Sequence, residues 1–496
     1  MLRLLNLVVL TFIFGPILNA ETWTVQSESD WKASGSEATG ITFEEGLAKP
    51  EAEKASYRSA IKTFSDKQKA TRFIIKQTAE WKNWTDAGRV VPSVLGDAPV
   101  ALALGPQNYW MFGRNRSKNK TNAEEEATLE GFDIPLKTTS DPHVFNAPGG
   151  LEKALSGYHA WQSRDMVNWV HHGPVTEGFS RWSTTAEYAD GKLYIYYDFP
   201  NDQDPHLYID TDLTDGKPGE NIGMAFKDPS NGSDCAIIRD LEGNFHLIYE
   251  DWSPINAQKH AWDSPLAGHA VSKDGKGNFE ILAPAVDYRT NPTGKEGKHT
   301  HPHWNKEDPE NYPTSEVVYE IHEPAQDAFG DWAAISIGGQ YYLFADYDPK
   351  REPGEKKHSM SVAMFTADSI DGPFRFYGNV GNGHPDPDIM FAEGQFYLLT
   401  QTKSDFVSPG PWVEKVEARV GVDTSNDGQV DQWTDWQEVR ESYDHIEGFA
   451  KQISVDPAAI DLTSLPEGYA FQFELRIEDM TDNESKPILD QVILEF

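Results

Sequence analysis

One pattern recurs five times along the chain and limits its fold more than any other: a polar turn followed by an aromatic-rich strand. The copies read ALGPQNYWMFG, YADGKLYIYYD, DLEGNFHLIYE, IGGQYYLFADY and AEGQFYLLTQ. Each puts Gly or Asn at the bend and a strongly β-forming return strand behind it, which is a hairpin signal. Aligned on the turn, Tyr109, Leu193, Phe245, Tyr341 and Phe396 take equivalent positions. Five such hairpins, with further strands and long loops between them, predict an all-β fold: a five-bladed β-propeller over residues 91–410. A β-sandwich is the other architecture that displays repeated hairpins. The uneven intervals require insertions between blades, the bulkiest at residues 115–157 and 285–328.

The flanks differ in character. Leu7 to Leu18 is an apolar run behind Arg3, and Ala20 is a small residue suited to cleavage before Glu21. Residues 1–20 are therefore expected to be a signal peptide, and the mature chain to be secreted or periplasmic. A retained membrane anchor is the alternative, for which the run is short. Within the N-terminal segment 21–90, residues 47–85 are charged and Ala-rich, with Ile61, Phe64, Phe73, Ile74 and Ile75 at helical spacing. That spacing predicts a helical arm, packed on its own propeller or crossing to a second subunit in a homodimer. In the last region, residues 411–496, Phe471 to Glu478 alternates apolar and polar without a slip. With Val492, Ile493 and Leu494 it predicts an appended β-sandwich-like module.

Composition excludes some partners. The chain carries 79 Asp and Glu against 43 Lys and Arg, a net charge of −36. Nucleic acid and anionic membrane surfaces repel such a chain. The single cysteine, Cys235, rules out an intrachain disulfide. An exported protein without disulfides is held by its core or by bound metal. The 15 Trp, 19 Tyr and 25 Phe suit β-rich packing, and their flat faces also stack on sugar rings.

A second register accompanies the hairpins. Asp97 lies twelve residues before Tyr109, Asp234 eleven before Phe245, Asp331 ten before Tyr341 and Asp386 ten before Phe396. In a propeller the start of each innermost strand faces the axis, so these four aspartates are expected to converge. Asp is common at strand starts for ordinary turn-building reasons. A shared register of carboxylates at one locus points instead to a site.

Two further pieces carry a family resemblance. Ser163-Arg164-Asp165-Met166-Val167-Asn168-Trp169 resembles the S-x-D-φ-x-x-W element of five-bladed propeller glycosidases. Thr366 to Phe374 (TADSIDGPF) resembles their A-x-S-φ-x-G-P-F/Y element, and His269 to Gly275 another blade strand. Together they resemble glycoside hydrolase families 43 and 117 over about residues 91–405.

The resemblance implies two carboxyl-type groups on opposite faces of a sugar, one protonating the leaving oxygen and one activating water. Asp97, in Asp97-Ala98-Pro99-Val100, is similar to the D-P-x-φ general base, with Ala98 intervening before the proline. Asp234 matches the aspartate that tunes the acid. Family 43 takes its acid from a blade-four Glu, where this chain has Asp331. His384 in Gly383-His384 resembles the Gly-His of family 117, where a His can serve as acid. In family 43 a His at a similar place contacts a central metal ion. Glu323 could reach in from the loop before blade four. Trp182 and Glu187 sit where family 43 often has W-A-P-E, implying a sugar-stacking wall and a substrate contact, and Asp386 is a further substrate contact.

Two clusters stand outside that set. His299 to Trp304 places His301 and His303 on one strand face, as a zinc site would, without CxxC or HExxH. It reads better as a loop contacting an anionic sugar group, or as an exposed loop. Asp423, Asp427 and Asp431 resemble a structural calcium loop, but Thr434 stands where a bidentate Glu is expected, and a plain hairpin turn explains it as well. No cofactor is required for the expected chemistry.

The sequence thus points to an exo-acting, inverting glycoside hydrolase on plant or marine algal polysaccharide fragments, with agar- or carrageenan-type galactan favoured. Arabinofuranosidase, xylosidase or galactofuranosidase activity is the nearest alternative. A non-catalytic glycan-binding propeller and a polysaccharide lyase are alternatives of other classes.

Overall fold

The computed structural model describes residues 21–496 except 79–84, 89, 116–124, 149–156, 179–181, 200–203, 228–233, 252–263, 295–325, 353–354, 357–359, 383–385, 402–404, 409–415 and 479–487. The expected signal peptide lies outside the described residues. Among them no helix is long and apolar enough to cross a membrane.

Five mainly antiparallel sheets are built on residues 85–408, each containing one of the recurring hairpins, with one parallel pair inside blade one. Their first strands are Leu95–Ala103, Trp182–Ala189, Ala236–Arg239, Ala328–Ile337 and Asp388–Ala392. Each first strand packs against the next, and the fifth returns to the first. The sheets therefore radiate as blades around a central axis, which is a β-propeller. The blades bury Trp161, Trp169, Tyr196, Tyr249, Phe329 and Trp332 between them. The ring closes with a borrowed strand: Thr85–Gly88, ahead of the first blade, pairs antiparallel with Asp405–Ser408 as the outer edge of the fifth. The Ser163–Trp169 motif is the turn between two outer strands of blade one. Asp165 accepts from the Ser163 hydroxyl and from the amides of Val167 and Asn168, which holds Met166 in the left-handed region at φ 59°.

Both flanks join in one β-sandwich. Arg72–Thr78 and Thr22–Val25 pair with Ile488–Glu495, while Lys54–Arg58 and Lys62–Gln68 pair with Gly468–Glu478. One core holds Trp31, Tyr57 and Phe73 from the first flank against Val420, Phe473 and Leu494 from the last. The helical arm expected at 47–85 is thus corrected to strands. Its charged, Ala-rich composition imitates a helix, but Ala55 and Tyr57 alternate with exposed Lys54, Ser56 and Arg58, and Phe73 and Ile75 share one inward face. A period of two, completed by partners some 400 residues away, overrides local propensity. Among the described residues the one helix of this unit is a single turn, Glu28–Trp31, capped by Ser27 and Asp30.

Candidate active site

At one end of the axis the chain repeats a local device three times. Asp234, Asp331 and Asp386, just before or within the first strands of blades three, four and five, adopt left-handed backbone at φ 43°, 50° and 54°. Asp tolerates this region better than most residues. In each case the amide donates to a buried carboxylate of the preceding blade. Asp234 N–H reaches Asp198 Oδ2 at 3.5 Å, Asp331 N–H reaches Glu250 Oε1 at 3.3 Å, and Asp386 N–H reaches Asp346 Oδ1 at 2.6 Å. These acceptors all stand five residues beyond the aligned hairpin positions Leu193, Phe245 and Tyr341. Blade one has Arg114 at that position, and its guanidinium lies 4.2 Å over the Trp182 ring of blade two. Between blades five and one, Ala101 N–H donates to Asp388 Oδ2 at 2.7 Å.

These joints surround a cavity of about 260 Å³ to which every blade contributes: Pro99, Trp182, Asp234, Asp331 and Asp386, with Asp388 deeper in. Carboxylate oxygens of Asp331, Asp346 and Asp386 all lie within 4.8 Å of one another. Such a trio relieves its repulsion by holding a proton or by sharing a cation. Burial, reinforced by the charges of Asp234, Asp386, Asp346 and Glu250, drives the Asp331 carboxyl well above its ordinary value. Burial likewise lifts Asp388 to about 6, against the pull of the Lys451 ammonium and of the Ala101 and Ile389 amides. A carboxyl kept protonated among ionised neighbours is a proton donor, and Trp182 gives the cavity a flat aromatic wall.

The structure brings four of the sequence candidates together here: Asp234, Asp331, Asp386 and Trp182. Asp97 lies on the first strand of blade one, where the pairing slips between Val100 and Gly96, next to the cavity-lining Ala98 and Pro99. Its side chain lies outside the described residues, as do His384, His301, His303 and Glu323. Glu187 requires correction as a substrate contact. It is fully buried five residues further down the strand from Trp182, where it accepts from the amides of Tyr188 and Arg239. The calcium reading of Asp423, Asp427 and Asp431 is corrected as well. Asp423 accepts from the amides of Ser425, Asn426 and Gly428, Asp431 from Thr424 and Ser425, and Asp427 from Gln429. They build a turn and do not converge on one point; among the described residues only the Asp331, Asp346 and Asp386 group does.

Sequence reading missed Asp198, Glu250, Asp346 and Asp388. The first three end or nearly end the quoted hairpin strings at one fixed offset, a signal available without any structure. Asp388 follows Asp386 by two residues in Pro385-Asp386-Pro387-Asp388, and only the strand direction shows that it also reaches the axis.

No family model matches the sequence, and no curated protein matches it. Among solved structures, the chain is similar to the GH43_1 enzyme from Xanthomonas citri complexed with xylose, at 15% identity over 71% of this chain and 93% of that one, TM-score 0.39. It is similar to a thermostable family-43 glycoside hydrolase at 13% identity over 74% and 95%, TM-score 0.37. The native Bacillus subtilis arabinanase Arb43A shows 13% identity over 76% and 98%, TM-score 0.34.

Proposed function

We propose that the protein is a glycoside hydrolase in which Asp331 is the general acid and Asp97 the general base. The observation that carries this reading is the convergence of Asp234, Asp331 and Asp386 in one aromatic-walled cavity, with Asp331 enclosed by carboxylates. Asp331 gives its proton to the glycosidic oxygen as the bond to the anomeric carbon breaks. Asp97, on blade one, takes a proton from the water that attacks the opposite face, which inverts the centre. The charges of Asp234 and Asp386 favour the proton on Asp331 before the reaction and offset the positive charge that grows on the sugar ring. Trp182 stacks on an apolar sugar face.

The cavity is at the small end of ligand pockets, which run from about 300 to 1,000 Å³. That size supports exo action on a terminal sugar. Agar- or carrageenan-type galactan fragments are the proposed substrates, with arabinan- and xylan-type fragments as the alternative class. The protein is proposed to act outside the cytoplasm, after removal of residues 1–20.

The test is product release from agar, carrageenan, arabinan and xylan oligosaccharides by the wild type, Asp97→Asn, Asp331→Asn and His384→Asn. Monosaccharide released by the wild type and lost with Asp97→Asn and Asp331→Asn supports the assignment. Loss with His384→Asn and survival with Asp331→Asn moves the acid to His384. Binding without turnover on every fragment replaces the hydrolase with a glycan-binding propeller.

A further inference from the structure

The axis of the propeller is closed from the far side by a segment outside the ring. After strand Ser442–His445, the chain crosses beneath the blades and returns as Gln452–Asp456, which pairs parallel with the first strand of blade four at Ser336 and Ile337. On the way it touches several blades. Ala450 packs with Val100 and Leu102 of blade one. Arg239 of blade three donates to Gly448 O at 3.0 Å and lies 4.8 Å from the Phe449 ring. Ser336 N–H of blade four donates to Lys451 O at 2.8 Å.

From this crossing Lys451 rises along the axis. It is 4% exposed, although lysine is almost never fully buried unless paired. Its Nζ donates to Ile237 O of blade three at 2.8 Å and to Thr185 Oγ1 of blade two at 3.3 Å. Two buried carboxyl groups feel its charge, Glu187 of blade two and the cavity-lining Asp388 of blade five. A carbonyl and a hydroxyl accept directly from the ammonium, as oxygens do around a metal ion, while the two carboxyl groups act on it through charge alone. Here the cation is covalently tethered.

We propose that Lys451 is a positioning residue: an ion supplied by the C-terminal flank that closes the axial channel and fixes the inner strands of blades two and three beneath the cavity. Among the described residues neither sheet of the sandwich lines the cavity, yet through Lys451 the C-terminal flank completes the floor on which the cavity rests. Glu187 thereby has a role, as one counter-charge of that ion.

The experiment is thermal unfolding of the full chain as wild type, Lys451→Arg, Lys451→Met and Lys451→Ala. Each is measured in ethylammonium chloride and, at equal ionic strength, in tetraethylammonium chloride, whose cation is too large for the vacated space. Lys451→Met removes the charge at nearly constant volume and is expected to lower the midpoint by about 5 °C or more. Lys451→Ala is expected to fall similarly and to recover at least half of the loss in ethylammonium alone, with no such response from the wild type. Lys451→Met as stable as the wild type overturns the proposal, and so does an Ala variant that responds no more than the wild type does. Should the Ala variant not fold, the Arg and Met pair decides: Arg retaining stability that Met loses upholds the tethered ion, and equal behaviour overturns it. The effect on turnover rests on the hydrolase reading. A drop in kcat at unchanged KM is expected for Lys451→Met. The thermal arm stands whether or not the protein is a hydrolase.

Discussion

Two acidic turns in this protein use the same residue type to opposite ends. In the sandwich hairpin at Asp423 to Asp431, each carboxylate is met by backbone amides, and bonds to Thr424 and Ser425 hold the Asp431 carboxyl below its ordinary value. At the mouth of the propeller axis, the amide of each left-handed aspartate is turned away to the preceding blade, and the carboxyls are left facing one another. There burial and neighbouring charge raise Asp331. An aspartate whose carboxylate serves its own turn stabilises the fold. One whose carboxylate is aimed at others of its kind stores repulsion, and that stored repulsion is what makes a proton available.

The largest test of this contrast is Asp331→Asn. Turnover is expected to fall roughly 10²–10⁴-fold, the usual contribution of a general acid. Stability should move the other way. Ionising Asp331 costs more in the fold than in the unfolded chain, so its contribution is fullest below the ordinary value of 3.8 and is lost as pH rises through the elevated folded value. The Asn variant should therefore unfold at a higher temperature than the wild type near about pH 8, with a smaller gap near about pH 4.5. Turnover retained with no gain in stability would break the contrast.

Glu250→Gln is the next effect in size. It keeps an acceptor for the Asp331 amide and removes one of the charges facing the Asp331 carboxyl. Asp331 then loses its proton more readily, so with Asp331 as the proposed acid the alkaline limb of the kcat/KM profile should move to lower pH. A limb that stays in place, with activity lost evenly at all pH, would make Glu250 structural only.

In the sandwich, Asp423→Ala removes the acceptor of three amides from a buried position and should cost about 1–3 kcal/mol in urea unfolding, with turnover unchanged. The pH sign is reversed here. Asp431, with its carboxyl held low, contributes stability above 3.8 that is lost as pH falls through its depressed folded value. Smallest of all is Asp427→Ala, where one exposed acceptor for Gln429 is lost and the change should lie within about 0.5 kcal/mol.

What was legible in the sequence follows the distance over which each feature is decided. The five hairpins are local, set by a Gly or Asn bend and a β-forming return strand, so they stand out directly. The upstream aspartates inherit that register, which is why Asp234, Asp331 and Asp386 were found and are found together. The joints at Asp198, Glu250 and Asp346 act between blades. The strings contain them, but their meaning needs the neighbouring sheet. Phe73, Ile74 and Ile75 were misread because their strand partners in Ala458–Asp461 and Ile488–Glu495 lie at the other end of the chain. Lys451 had no local sign at all: a single lysine in a polar stretch gains its place only from the channel it enters.

The borrowed strand Thr85–Gly88 has a consequence for the order of folding. The ring cannot shut until Asp405–Ser408 has been made, and the sandwich around it cannot form until Ile488–Glu495 arrives. As the chain is synthesised from its N-terminus, Tyr57, Phe73 and Ile75 emerge first and find their partners last. The ring can shut once Asp405–Ser408 is made, whereas Arg72–Thr78 waits for both of its neighbouring strands, Ala458–Asp461 and Ile488–Glu495. The sandwich is thus completed after the ring, and anything that shields its early strands in the interval sets the yield of folded protein.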